Sequence, residues 1–259
     1  MCKNCPELRI LIEGAKYPQF HTTVSLITIA SQNKRILFDS GFSYDQDLLM
    51  NRLTDNYLTP NHIDFIIFSH WHIDHCGSLS LFPNAQLILS LESFEMIKRA
   101  VKGIKEAEES ALPQVDYLKN YIINNLMSHE VIDDIAYSIS KIRAMANIVY
   151  RNKSLWVEIL NRYHEGRVTI IEGHEMNLFD DLKVIKRSAH TKGDLILNFL
   201  DGNGMNHLLV GDIIPYQTGN TGELPMLTED KQNYGKVLTD ILVKGNMITP
   251  GHDIQFICN

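Results

Sequence analysis

Ser69-His70-Trp71-His72-Ile73-Asp74-His75 is the stretch of this sequence that decides the fold. It follows a short apolar run, 65–68, that predicts a buried strand, so the histidines lie where a strand ends. The first two histidines are two residues apart and point the same way from an extended segment, while the aspartate and the last histidine follow at a turn. Imidazole and carboxylate ligands together suit zinc or a similar divalent ion. A histidine-rich surface turn without metal would make this dense pattern a coincidence, so the stretch predicts a metal site.

The composition is that of one globular domain. The chain has 259 residues, of which 44% are hydrophobic, enough to fill a sizeable core. No apolar run reaches the length of a membrane span, and the first residues contain no hydrophobic signal core. We therefore expect a cytoplasmic protein that does not bind a membrane. Four cysteines do not form a disulfide framework in a chain of this size, and Cys2 and Cys5 predict an ordinary thiol pair rather than a structural zinc site.

The net charge of −7 gives no long-range attraction for polyanions. Nucleic-acid binding is therefore disfavoured, although a local cationic metal centre would still bind a phosphodiester. A small-molecule substrate is the expected partner.

Strand and helix signals alternate along both ends of the chain. Ser43 and Gln46 have the spacing of a capping box, which predicts a short helix with leucines on one side. A second helix is predicted at 229–243. Strands are predicted at 8–13, 22–29, 35–38, 65–68, 86–90, 168–171, 182–186, 195–200, 207–211 and 246–249.

The segment 92–165 has helical periodicity instead. Four apolar faces predict four helices, with breaks at Pro113 and near Ser128-His129; the third face includes Ile132, Ile135 and Ala136. Several interpretations stay open for this helical insertion: a lid over the site, the interface of a homodimer, both of these together, or a helical layer without a role in chemistry. The organisation predicted is one domain, 1–259, with the insertion at about 92–165.

Further ligand candidates lie at the ends of predicted strands. They are His190, Asp212 and His252, and Gly251 allows the close approach that a ligand loop needs. Asp39, also at a strand end, is either a turn former or an acceptor that orients a metal-bound histidine. Gathered at one edge, His190, Asp212 and His252 and the four ligand-type residues of the opening stretch would hold two metal ions with vacant positions.

These motifs resemble the metallo-β-lactamase superfamily, whose HxHxDH motif is matched by 70–75. The other motifs follow in order: Asp39-Ser40-Gly41, His190 in His-Thr-x-Gly, Asp212 in Val-Gly-Asp, and His252 in Pro-Gly-His. The resemblance implies an α/β fold, the αββα sandwich, with the site at one edge between two sheets. It implies that the first metal is held by His70, His72 and His190, and the second by Asp74, His75 and His252, with Asp212 bridging. It also favours Asp39 as the orienting acceptor.

The resemblance implies hydrolytic chemistry. An aspartate at 212, where one class of true β-lactamases has a cysteine, argues against antibiotic hydrolysis and favours the branch of lactonases, glyoxalase II, phosphodiesterases and nucleases. His72, where flavodiiron oxygen reductases have a glutamate, argues against redox chemistry. The run 78–83 and the closing Thr249-Pro250-Gly251-His252 are also similar to the metallo-β-lactamase domain-containing protein 1 group.

The chemistry expected is hydrolysis by a bridging hydroxide between two zinc ions, with iron or manganese as alternatives. Asp74 would also move a proton near the leaving group, and Tyr216 would either stabilise an oxyanion or simply pack. The leading hypothesis is a hydrolase of a small ester, thioester or lactone. Its rivals are a phosphodiesterase or nuclease with the same ligands, and a non-catalytic metal-binding scaffold.

Overall fold

Two six-stranded sheets form the centre of the molecule. The computed structural model describes residues 5–16, 18–125, 139–179, 182–217 and 228–258. The strands of the first sheet, in spatial order, are β1 (Glu7–Ile12), β2 (Val24–Ile29), β3 (Lys34–Phe38), β4 (Phe65–Ile67), β5 (Gln86–Ser90) and β6 (Val168–Ile171). Those of the second are β12 (Phe256–Ile257), β11 (Met247–Pro250), β10 (Asn206–Gly211), β9 (Asp194–Leu200), β8 (Leu182–Arg187) and β7 (Glu175–Leu178).

The two sheets differ in strand direction. In the first, β1 to β3 are antiparallel, and β3 to β6 are parallel. In the second, every pair is antiparallel except β10 with β11. The parallel pairs put the carboxyl ends of β3 and β4, and of β10 and β11, at the same edge of their sheets. Loops that follow those strands therefore meet there.

Seven helices cover the outer faces in the part of the chain that the structure describes. They are α1 (Gln46–Asp55), α2 (Ile73–Cys76), α3 (Leu91–Glu109), α4 (Gln114–Asn125), α5 (Ile139–Arg151), α6 (Lys153–His164) and α7 (Lys231–Ile241). No described helix has the length and apolar character needed to cross a bilayer.

Period-two alternation sorts the apolar side chains into layers. In β3, Ile36 and Phe38 enter the core between the sheets, whereas Leu37 packs against the outer helices. In β10, Leu209 enters the same central core, whereas Leu208 packs under α7. Because successive side chains of a strand point to opposite faces, each sheet is apolar on both faces and needs a layer on each. The predicted αββα sandwich is confirmed.

The helical segment predicted at 92–165 appears as α3 to α6. Phe94, Ile97, Leu118 and Trp156 join the core cluster on the outer face of the first sheet. The fully buried Arg162 of α6 pairs with Glu158 at 2.7 Å and donates to the carbonyl of Phe82, which joins α6 to the loop before β5. Ile132, Ile135, Ala136 and the break near Ser128-His129 lie outside the described residues. A lid or dimer role for this segment stays a prediction.

Local predictions failed in four places. The strands β7 and β12 were not predicted, since β7 has few β-branched residues and β12 is only two residues long, and both lie at edges. The Ser43–Gln46 capping box is wrong, because a short 3₁₀ turn occupies 43–45 and no side chain caps α1.

Cys5 takes part in a disulfide bond, contrary to the ordinary thiols expected, and Cys2 lies outside the described residues. Spacing alone carries no information on oxidation state.

Candidate metal centre

The fold brings all seven predicted ligands to one edge of the sandwich, each in a segment that follows a strand. His70 and His72 follow β4, and α2 then presents Asp74 and His75 from one helical turn rather than from the simple turn expected. His190 follows β8, Asp212 follows β10, and His252 follows β11. They form two groups in which the ligand atoms lie within 4.8 Å of one another: His70, His72 and His190; and Asp74, His75, Asp212 and His252.

Three imidazoles make up the first group. Nε2 of His190 lies 3.1 Å from Nδ1 of His72. The ring of His70 stands edge-on to the other two, with ring centroids 4.4 Å and 4.8 Å away. Nδ1 of His70 faces the hydroxyl of Ser69 at 3.0 Å, which leaves Nε2 for the centre of the group.

The second group alternates imidazole and carboxylate. Nε2 of His252 lies 3.2 Å from Oδ2 of Asp74 and 3.2 Å from Oδ1 of Asp212. Nε2 of His75 lies 3.4 Å and 3.3 Å from the same two oxygens. The other oxygen of Asp212, Oδ2, lies 3.8 Å from Nε2 of His190 in the first group. Asp212 therefore faces both groups, one oxygen toward each.

Buried atoms without hydrogen bonds test whether these residues fit a metal. Within the described residues, Nε2 of His70, Nε2 of His75 and Oδ1 of Asp212 are buried and have no hydrogen-bond partner. The last two are 3.3 Å apart, so they approach closely without the geometry of a donor and an acceptor. Buried polar atoms are almost always satisfied, and ligand atoms aimed at a shared cation are the exception expected here. The donor set fits two divalent ions of the zinc type.

Neighbouring acceptors fix the orientation of two histidines. Oδ2 of Asp39 lies 2.8 Å from Nδ1 of His75, and Asp39 also accepts from the Ser69 backbone N–H at 2.7 Å. Nδ1 of His252 lies 2.9 Å from the backbone carbonyl of His21. Because a carbonyl only accepts, this Nδ1 carries a proton, which leaves Nε2, the atom that faces the second group, as the one that would bind a metal. Asp39 occupies the orienting position that the resemblance favoured.

His21 orients the ligand His252, and the sequence did not predict this role. It lies in a loop before β2, and its role rests on its backbone oxygen, which no side-chain pattern reveals. Nδ1 of its own imidazole lies 2.9 Å from Oδ1 of the buried Asp45.

Gly251 lies against Asp212. A Cβ at Gly251 would be 2.1 Å from Oδ1 of Asp212 and 3.0 Å from the Gly211 carbonyl carbon. No side chain fits there, so the close approach predicted for this glycine is confirmed.

Burial and mutual repulsion lower the pKa values of the first group. Burial is the largest cause for His70, whose pKa lies well below its usual value, and for His190, whose pKa falls to about 3. Burial also lowers the pKa of His72. Neutral imidazoles are the form that binds a metal, so the fold holds this group in its ligand state.

The second group behaves as paired charges. Burial raises the pKa values of Asp74 and Asp212, but His75 and His252 outweigh it and hold both well below the usual value. Burial lowers the pKa of His252, yet Asp212 and Asp74 raise it to about 9. The pKa of His75 is raised well above its usual value, against burial, by Asp39, Asp212 and Asp74. Attraction between carboxylates and imidazoles thus takes the place of a cation, and a divalent ion would compete with imidazole protons for the same nitrogen atoms.

Aromatic rings line the side of the centre next to His252. The ring of Phe20 stacks on His252 with centroids 4.3 Å apart, and Phe42 and Tyr44 extend this wall. Tyr216 is half-buried, with its ring 6.0 Å from that of His252 and the ammonium of Lys16 over it at 4.9 Å. Tyr216 therefore lies beside the centre, and its contacts fit packing as well as catalysis. The sequence analysis missed Phe20, Phe42 and Tyr44, since single aromatic residues in loops form no pattern.

Sequence comparison matches only parts of the chain. Residues 17–90 match the model of the Metallo-beta-lactamase superfamily. Metallo-beta-lactamase domain-containing protein 1 of Rattus norvegicus is 36% identical over 55 residues, which cover 21% of this chain and 22% of that protein. The Xenopus laevis protein of the same name is 27% identical over 66 residues, 26% of this chain and 28% of that protein. The matches thus span about a quarter of these relatives' length, and they confirm the resemblance seen in the motifs.

Solved structures match over nearly the whole chain. A Thermotoga maritima protein, named as a candidate metallo-beta-lactamase, has a TM-score of 0.64 at 18% identity and covers 98% of this chain and 99% of its own. A quorum-quenching N-acyl homoserine lactone hydrolase has a TM-score of 0.60 at 16% identity, with 98% and 94% covered. The dizinc quorum-quenching lactonase AidC has a TM-score of 0.60 at 15% identity, with 89% and 72% covered. At these identities the likeness concerns the fold.

Proposed function

We propose that this chain, which has the metallo-β-lactamase fold, is a binuclear metal-dependent hydrolase acting on a small ester, thioester or lactone. One observation carries the proposal: Asp212 directs one carboxylate oxygen to each of two buried ligand groups, at 3.8 Å from His190 and 3.2 Å from His252. A carboxylate placed in this way could bind two adjacent cations at once, one through each oxygen.

The proposed cofactors are two zinc ions, with iron or manganese as alternatives for the same donor set. His70, His72 and His190 would hold the first, Asp74, His75 and His252 the second, and Asp212 both. Such a pair supplies an acidified water for attack and polarises the bond to be broken.

Accessibility indicates where substrate would arrive. The side chains of His75, His190 and His252 are 0–3% exposed, whereas those of Asp74 and Asp212 are 16% and 12% exposed. The carboxylates therefore border the open side of the centre. In this role Asp74 would take or return a proton near the leaving group, in addition to binding metal.

Tyr216 is the proposed oxyanion partner. Its ring lies beside His252, and burial, followed by the charges of Asp212 and Asp74, raises the pKa of its phenol. A phenol with a raised pKa keeps its proton at neutral pH, so it would donate a hydrogen bond to the oxygen that gains negative charge.

The carbonyl substrate class rests on two supports. Two of the solved proteins that share the fold are described as lactone hydrolases, and the net charge of −7 disfavours a polyanionic substrate. A phosphodiester substrate would use the same metal ligands. The first experiment must therefore distinguish phosphodiester hydrolysis from hydrolysis of a carbonyl substrate.

A side-by-side assay tests the proposal. Zinc-loaded protein is given a simple lactone and an activated phosphodiester, with Asp212→Ala as the inactive variant and Asp240→Ala, at an exposed position of α7, as the matched control. We expect lactone turnover that Asp212→Ala abolishes and Asp240→Ala preserves. Turnover of the phosphodiester alone would overturn the substrate class, and no turnover of either by fully loaded protein would favour the metal-binding scaffold.

A further inference from the structure

A cavity of about 270 Å³ borders the candidate metal centre on the side of its first ligand group. It lies between the first turns of α3 and the loop 191–193. Trp71 stands between His70 and His72 in the chain, Thr191 follows His190, and both line the cavity. The cavity is therefore lined by residues next in the chain to three of the predicted ligands, and its size suits a short acyl chain rather than a large ligand.

One wall of the cavity is apolar. Trp71, Leu91 and Met96 line it, and Leu91 stays 36% exposed although it begins a helix that is otherwise well packed. Trp71 lines the cavity, and its ring centroid lies 5.2 Å from that of His72. An alkyl chain that leaves the centre along Trp71 would cover this apolar surface.

Two of the three acidic residues that line the cavity, Glu92 and Glu95, pair with lysines. Lys186 donates to both carboxylate oxygens of Glu92, at 2.8 Å and 3.1 Å, and Lys98 donates to Glu95 at 2.9 Å. Neither lysine lines the cavity. These two carboxylates therefore have positive partners outside the cavity.

Arg99 is the cation that this arrangement leaves available. Its guanidinium makes one long contact, 3.4 Å, to the Asn125 carbonyl, and no carboxylate of the described residues lies within ion-pair distance of it. A guanidinium offers five N–H donors in a fork that matches a carboxylate. Lys192, across the cavity in the loop 191–193, adds a second positive charge, and its backbone N–H donates to the carboxylate of Glu229 at 3.0 Å.

We infer that this cavity is the acyl pocket of the enzyme, and that it takes an acyl chain whose far end carries a carboxylate bound by Arg99. The inference rests on the proposed function, because it assumes that the carbonyl carbon of the acyl group is the one attacked at the metal centre. The chain would pack on Trp71 and Met96, and its terminal carboxylate would pair with the guanidinium. An acyl chain of the same length without a carboxylate would leave Arg99 unpaired and bind less tightly.

Paired substrates test the pocket through kinetics. Zinc-loaded protein is assayed with mono-4-nitrophenyl adipate and with 4-nitrophenyl hexanoate, whose acyl chains have the same length but differ in the terminal carboxylate. We expect a KM roughly tenfold lower for the adipate ester, a preference that Arg99→Gln removes by raising KM with kcat nearly unchanged. Arg99→Lys retains part of it. Lys105→Gln, which removes a charge from an exposed position of α3 outside the cavity, is the matched control and retains all of it.

A binding measurement separates this inference from the proposed function. Calorimetric titration with adipate itself should show binding to the zinc-loaded wild type and to Lys105→Gln, and a loss of at least roughly tenfold in Arg99→Gln. Equal KM values for the two esters, with no effect of Arg99→Gln, would overturn the inferred acyl pocket while the proposed hydrolase activity would stand. Adipate binding that depends on Arg99, without hydrolysis of either ester, would overturn the proposed hydrolase activity, while the inferred carboxylate-binding pocket would stand. Neither turnover nor binding would overturn both.

Discussion

Oδ2 of Asp39 lies 2.8 Å from Nδ1 of His75, although β3 and α2, which bring them together, are separated by α1 and β4. Asp39 has a positive φ of 61° and accepts from both the backbone N–H and the hydroxyl of Ser69, so its carboxylate is held on three sides. This contact points Nε2 of His75 toward the second ligand group. The order of the site therefore depends on a residue that is not itself a predicted ligand.

Asp39→Asn should weaken zinc binding at the second group. The amide keeps the shape of the side chain but removes the negative charge that orients and polarises His75, which typically costs about 10- to 100-fold in metal affinity. A chelator-competition titration measures the change. Asp201→Asn is the matched control, since Asp201 also contacts a histidine, His207, at 3.4 Å but lies in a hairpin turn outside the centre. Equal zinc affinity in both variants would contradict the role of Asp39.

Asp212→Ala should lower the zinc content of the protein from two ions to one or none. The substitution removes the oxygens that face both groups, 3.2 Å from His252 and 3.8 Å from His190. It also leaves the raised pKa of His252 without its main support, so that this imidazole loses a charged partner. Metal analysis by mass spectrometry after gel filtration gives the stoichiometry. Two tightly held zinc ions in the variant would show that Asp212 does not bridge.

Tyr216→Phe should lower kcat by roughly tenfold or more if the phenol stabilises the oxyanion. The ring contacts with His252 and Lys16 would survive the change, so zinc affinity and stability should be unaffected. Tyr44→Phe is the control, because Tyr44 belongs to the aromatic wall and its hydroxyl donates a hydrogen bond to the Phe20 carbonyl. A rate equal to that of the wild type would assign Tyr216 to packing alone.

The ligand positions could be predicted because they follow strands whose patterns are local. The apolar runs 65–68 and 207–211 mark buried strands, and the residues after them must emerge at a sheet edge. Nothing in the sequence places His21 beside His252, because the contact uses a backbone oxygen. The cavity at Arg99 was equally hidden, since it is formed by a helix start and a loop about 100 residues apart in the chain.

Edge strands and short turns were harder to predict for a related reason. The strand β7, Glu175–Leu178, pairs on one side only, so packing places few demands on its residue types. Ser43 and Gln46 fit a capping box by spacing, yet the chain forms a 3₁₀ turn there, with the buried Asp45 paired to His21. Local structure also depends on tertiary contacts, which single-sequence patterns do not include.

Asp194 should make the protein less stable as pH rises. Burial raises the pKa of this carboxyl well above its usual value, despite hydrogen bonds from Thr191 that oppose the rise. At a pH between the pKa of Asp194 in the unfolded chain and its raised pKa in the folded protein, only the folded protein keeps the proton. The stabilisation from this proton is therefore complete below the unfolded pKa and is lost as the pH rises through the folded pKa. Urea unfolding of wild type and Asp194→Asn across this range should give a stability difference that shifts in favour of the variant with increasing pH. A difference independent of pH would contradict the raised pKa.

Gly251→Ala should disable the metal centre while leaving the sandwich folded. The added Cβ would lie 2.1 Å from Oδ1 of Asp212, well inside van der Waals contact, so either the carboxylate or the loop carrying His252 must move. The loop is tied on both sides, by the Gly251 N–H to the Ile214 carbonyl at 3.1 Å and by the Thr23 N–H to the Gly251 carbonyl at 2.7 Å, so the carboxylate is the part that yields.

Zinc content and lactone turnover should therefore fall together in Gly251→Ala, with a far-ultraviolet circular dichroism spectrum like that of the wild type. Gly235→Ala is the matched control, because a Cβ at Gly235 meets nothing within 4 Å. In the interior of α7 that substitution should raise stability by about 0.5–1 kcal/mol and leave zinc binding unchanged. Full zinc loading of Gly251→Ala would mean that Asp212 can bind from another position, and the bridging geometry argued from its two oxygens would then fail.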